Sequence, residues 1–128
     1  MDMNNISPLL ELANAKVIRD QKGTWSKGSI TYYEAMFEEL LEVKAEVDSG
    51  RQCYLEDELG DILWVYMCMV SHMEAEGKIS VSRVFKRSLE KYQMRIDGIE
   101  AGKSWDDIKQ TQKIRLKDEQ IQLEKIAK

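Results

Sequence analysis

A chain of 128 residues with a formal net charge of −4 and a pI near 5.1 is long enough for one domain with a real core. It is too acidic for a general nucleic-acid-binding surface, which needs a basic face. Seven glycines and one proline in a chain that is 33% charged favour helices over sheet, so the expected class is all-α, a bundle of four to five helices forming a single domain over 1–128.

Ser7 and Pro8 form an N-cap and first-turn pair, and Leu9, Leu10, Leu12, Ala13, Val17 and Ile18 make a helical stripe, which predicts a first helix over about 8–21. The stretch before it, Met1 to Ile6, is polar and no signal peptide is expected. Gly23 to Ser29 is a loop by composition. Trp25 within it is either an anchor on the core or a platform on which a nucleobase stacks.

Thr31 and Glu34 have capping-box spacing and predict the start of a second helix. Met36, Phe37, Leu40, Leu41, Val43 and Val47 supply its apolar face, and Gly50 fits its C-terminal stop. The third helix is expected from about Cys53 to Glu76, ending at Gly77. Between Ile62 and Val70 it is apolar all round, so it must be buried on more than one side. One small bundle leaves part of that surface wet, which predicts dimerisation through the bundle, as a homodimer or a dimer of dimers. The same run is far short of the roughly 20 residues that cross a bilayer, so no membrane partner is expected. Cys53 and Cys68 lack metal-ligand spacing and read as reduced thiols, which places the chain in the cytoplasm.

The second and third helices carry the chemistry. A helix advances about 100° per residue, so Glu38, Glu39 and Glu42 share one face, and Glu58 and Asp61 share a face on the next helix. The turn at Asp48, Ser49 and Gly50 makes the two helices antiparallel neighbours, and their acidic faces then meet. Like charges that close cannot all stay ionised without a cation between them. Oxygen ligands in this number suit Mg²⁺, Mn²⁺ or Ca²⁺ and not zinc. His72, the one histidine, cannot supply the two Glu-x-x-His pairs of a diiron bundle and is read as structural.

Ser80 or Ser82 starts a fourth helix running to about Ile96. One face of it carries Arg83, Arg87, Lys91 and Arg95, every fourth residue. Like charges at this spacing repel, and no carboxylate on the helix relieves the whole row. It is either a solvated basic edge or the complement of an anion, with the cluster around Glu39 and a substrate triphosphate as the candidates. Ser104 and Asp107 form a further capping box and place Trp105 at the start of a last helix. Residues 111–128 are polar and only loosely periodic, and read as a helical arm or a tail.

The pattern Glu38-Glu39-x-x-Glu42 followed by Glu58-x-x-Asp61, with the second motif set in DELGDILW, resembles the EExxE…ExxD signature of the MazG-like, all-α nucleotide pyrophosphohydrolases. Weaker matches extend from Arg19 to about Ile108, through Gly23, Trp25, Lys91, Arg95 and Trp105. At the Trp25 loop the chain has Thr24 and Ser26 where that family often has proline and aspartate. The resemblance implies hydrolysis of a nucleoside triphosphate between the α and β phosphates, giving a monophosphate and pyrophosphate. By position it implies Glu39, Glu42, Glu58 and Asp61 as ligands of Mg²⁺ or Mn²⁺, one or more ions per site. It further implies Glu38 as the residue that orients or deprotonates the attacking water, and Lys91 and Arg95 as phosphate ligands, with Trp25 and Trp105 on the substrate. A house-cleaning enzyme is the leading reading. A dUTPase-like or phosphoribosyl-ATP pyrophosphatase-like enzyme and a non-catalytic helical metal-binding protein are the alternatives.

Overall fold

A computed structural model describes residues 3–127; Met1 and Asp2 of the polar start, and Lys128 of the expected arm, lie outside the described residues. Among these residues there are five helices and no strand: α1 (Ile6–Lys22), α2 (Ser29–Glu46), α3 (Gln52–Ala75), α4 (Val81–Glu100) and α5 (Trp105–Ala127). The all-α expectation holds, and the antiparallel pair is α2 and α3. The helices form two compact units, one through Val81 and one from Ser82 onward.

In the first unit α3 packs against both α1 and α2. On α3 the residues Glu58, Asp61, Val65, Cys68 and His72 follow one another at three- and four-residue steps, so they form a single stripe along one side. Its C-terminal part, Val65, Cys68 and His72, is buried. Val65 and Cys68 pack with Ala13 of α1 and Tyr32 of α2, while Met67 closes the core from another side. The expectation that the Ile62–Val70 run is buried on more than one side is met, although within it Leu63 stays 43% exposed.

Three local expectations are corrected. Helix α1 begins at Ile6, before the Ser7-Pro8 pair, with Asn5 in the N-cap position and no side-chain cap. Helix α2 does not start on a Thr31–Glu34 box; its N-cap is Gly28, at φ +95, a backbone conformation that residues bearing a Cβ rarely adopt. The Glu76 carboxylate at the far end of α3 does the capping instead, accepting the Ser29 N–H at 2.8 Å and the Ser29 hydroxyl at 2.7 Å. Those two bonds hold the Glu76 carboxyl below its usual range. Thr31 turns its hydroxyl to the Lys27 N–H.

The third correction concerns which side of α2 faces inward. Tyr32, Ala35 and Met36 meet the core, while Phe37, Leu40, Leu41 and Val47 are each at least half exposed. The inward stripe continues from Tyr32 and Met36 to Glu39 and Val43, so the helix that brings a carboxylate toward α3 turns its larger apolar set outward.

In the second unit α4 runs to Glu100, beyond the expected Ile96, and ends where the Gly102 and Lys103 N–H groups bond to the carbonyls of Ile99 and Gly98. At Gly98 the helices come close, and a Cβ there would force the Ile108 side chain of α5 to shift. Ser104 caps α5 as expected, accepting the Asp107 N–H at 3.1 Å, and the helix continues through residues 111–127.

Candidate metal centre on the paired acidic helices

Glu39 and Glu42 project from α2, and Glu58 and Asp61 from the first three turns of α3, next to the connecting turn. One carboxylate oxygen from each of the four lies within 4.8 Å of the others. Glu39 Oε2 and Glu58 Oε2 are buried and have no hydrogen-bond partner. A buried anionic oxygen with no partner is costly, and the two here, together with the Glu42 and Asp61 carboxylates that converge on them, form the donor set that hard, oxygen-loving cations take. The electrostatics agree. Burial, then the neighbouring Glu42, then Asp61 and Glu58 push the Glu39 carboxyl up to about 7. Burial and Glu42 raise Glu58; burial, Asp57 and Glu42 raise Asp61.

A pH dependence follows. The Glu39 carboxyl has an ordinary value of 4.5 and a folded-state value near 7, so the stability tied to its protonated form is complete below about pH 4.5 and is lost as pH rises through 7. The thermal midpoint of protein freed of divalent ions should therefore fall between about pH 5 and pH 8, and Mg²⁺ or Mn²⁺ should abolish the fall. Scanning calorimetry in chelator across that range is the check; a flat midpoint would mean that the carboxylates are well solvated.

Glu38 is exposed on α2 beside Glu39 and outside the group of four. His72 is away from the carboxylates in sequence and in partnership: its Nε2 lies 2.9 Å from Asp20 Oδ2. Asp20 also accepts the Tyr32 hydroxyl at 2.5 Å and pairs with Lys16. Burial raises the Asp20 carboxyl, but the bonds from Lys16, Tyr32 and His72 outweigh it and the net shift is downward. Linear reading missed this buried network; the Lys16–Asp20 spacing of one helical turn was its only local signal.

Trp25 is 66% exposed, with the Lys16 ammonium 4.6 Å from its ring centre and Tyr32 edge-on at 5.8 Å. One part of the ring is thus anchored and the remainder is open. In the second unit Arg95 is buried, its guanidinium carbon 5.0 Å from the Trp105 ring centre and 5.2 Å from that of Tyr92. The ammonium of Lys91 lies 5.8 Å from the Tyr92 ring. Lys91, Arg95 and Trp105 are therefore neighbours. The basic row also has an acidic partner that linear reading did not consider: Glu119 of α5 accepts two hydrogen bonds from Arg87, at 3.0 and 2.5 Å.

Four carboxylates converging between two antiparallel helices of an all-α chain are the kind of oxygen-donor set that hard divalent cations take. Residues 27–99, more than half of the chain, match the MazG nucleotide pyrophosphohydrolase domain. The chain belongs to that family, and membership supports a nucleotide pyrophosphohydrolase activity. The matched span contains both acidic motifs, Lys91 and Arg95, and ends before Trp105 and α5. No curated protein and no solved structure matches the chain. No described helix is long and apolar enough to cross a membrane.

Proposed function

We propose that this chain hydrolyses nucleoside triphosphates to monophosphate and pyrophosphate with Mg²⁺ or Mn²⁺, as a house-cleaning enzyme of the cytoplasmic nucleotide pool. The observation that carries the reading is the convergence of Glu39, Glu42, Glu58 and Asp61, with two buried carboxylate oxygens lacking any partner, inside the family span. Those four residues would hold the metal, which when bound lowers the pKa of water and neutralises phosphate oxygens. Glu38 stands beside them with its carboxylate free of the group of four, and its role is to orient the attacking water and take its proton. Lys91 and Arg95 offset phosphate charge; one divalent ion among four carboxylates leaves about −2, and a triphosphate brings about −4 more. Trp25 offers its open face to the base, and Trp105 acts through Arg95 by stacking on it.

The test is a panel of standard and modified nucleoside triphosphates, including dUTP, with phosphoribosyl-ATP beside them, followed for pyrophosphate release with Mg²⁺ and with Mn²⁺. Release from several members supports the reading. Release confined to dUTP or to phosphoribosyl-ATP moves the chain to those specialised classes, and no release from any of them sinks it.

The partner is a second copy of the chain, as a homodimer or a dimer of dimers, with 1–128 acting as one domain. Ile30, Tyr33, Phe37, Leu40 and Val47 make an outward stripe on α2, with Leu59 and Leu63 exposed on α3. An apolar stripe of this length is a subunit surface more often than a solvated one. Light scattering at micromolar concentration should give twice or four times the 14.9 kDa chain mass. A monomer under those conditions would rule the assembly out.

A further inference from the structure

Arg95 is 9% exposed, and among the described residues no carboxylate forms an ion pair with it. A buried guanidinium is ordinarily matched by an anion, because desolvating an unmatched charge is costly. Here its Nε donates to Gln112 Oε1 at 2.8 Å, and Tyr92 and Trp105 lie within stacking reach of its plane. Amide and rings satisfy shape and one N–H. They leave the charge uncompensated.

The same Gln112 amide turns its Nε2 to the Lys91 carbonyl, at 2.9 Å. One neutral side chain of α5 thus grips both residues of α4 that are read as phosphate ligands. The cleft alongside, about 640 Å³, is also lined by Lys109 and Lys113, and its two carboxylates, Glu90 and Glu119, pair with Lys86 and Arg87. A glutamate at 112 could reach the same Nε and would hold Arg95 more strongly, since a charge-assisted hydrogen bond is about twice as strong as a neutral one. It would also consume the charge. An amide fixes the guanidinium and leaves its positive charge for a ligand.

We propose that Gln112 is a positioning residue for oligophosphate: it holds Arg95 in place, still uncompensated, beside Lys91. The ligand class is a pyrophosphate or triphosphate group, whose paired oxygens suit the guanidinium fork. The inference rests on reading Lys91 and Arg95 as phosphate-binding. It adds a helix that lies beyond the residues matched to the family.

The experiment compares Gln112→Glu and Gln112→Met with the parent enzyme, using calorimetric titration with tripolyphosphate in chelator and steady-state kinetics with the best nucleotide of the panel. Gln112→Glu should keep or raise the thermal midpoint, weaken tripolyphosphate by about 10-fold or more, and raise KM far more than it lowers kcat. Gln112→Met keeps the length, loses both hydrogen bonds, and should weaken tripolyphosphate as well. A purely structural Gln112 predicts the opposite for glutamate: a firmer hairpin with unchanged phosphate affinity. Tripolyphosphate binding within twofold of the parent in either variant overturns the proposal, as does a parent that does not bind tripolyphosphate at all. Pyrophosphate release by the parent reports separately on the proposed reaction, so the two readings can fail independently.

Discussion

Glu38→Gln should lower turnover by roughly 10² to 10⁴ while leaving divalent-ion and substrate affinity close to those of the parent, the usual contribution of a general base. Glutamine has nearly the same size and a similar helix propensity, so α2 should be undisturbed and only the proton acceptor is lost. The geometry makes the prediction specific to this position. Glu38 neighbours Glu39 in sequence but stands about 100° around the helix from it, exposed and outside the four converging carboxylates. Manganese titration followed by calorimetry, beside steady-state kinetics, separates the roles. A large loss of Mn²⁺ affinity would make Glu38 a metal ligand, and a turnover loss under about tenfold would remove it from the chemistry.

Asp61→Ala, and separately Glu58→Ala, should weaken Mn²⁺ by roughly 10²-fold or more. Replacing an outer partner of a metal ligand already costs about 10- to 100-fold in affinity, and a direct ligand should lie at or beyond the top of that range. Neither change should unfold the protein. Both residues carry carboxyls raised by burial and by acidic neighbours, so removing either relieves repulsion when no cation is present. The metal-free variants should therefore melt at or above the parent's midpoint at pH 8, and below the parent once Mn²⁺ is added. This crossing distinguishes a metal ligand from a structural carboxylate, whose loss lowers stability in both conditions. Unchanged Mn²⁺ affinity in both variants would mean that these residues are not ligands.

The elements that sequence could specify are those encoded by near neighbours. Glu39 and Glu42, and Glu58 and Asp61, are each three residues apart, and a helix turns that spacing into a shared face whatever surrounds it. The short turn after Val47 then makes the two helices antiparallel, so the meeting of the four acids follows from local rules. The stop at Gly77 and the Ser104 cap are equally local.

Tertiary structure alone decided the rest. The one apolar face expected on α2 divides in the structure: Met36 and Val43 turn inward in line with Tyr32 and Glu39, while Phe37, Leu40, Leu41 and Val47 stay outside. Periodicity measures amphipathicity but does not say which neighbour a face will find. The Thr31–Glu34 box was displaced by Glu76, which lies 47 residues from Ser29. Arg87 and Arg95 found Glu119 and Gln112 at separations of 32 and 17 residues. Contacts at such distances carry no period along the chain. They arise only when helices that fold by local rules are brought side by side, so that a donor on one comes within reach of an acceptor on the other.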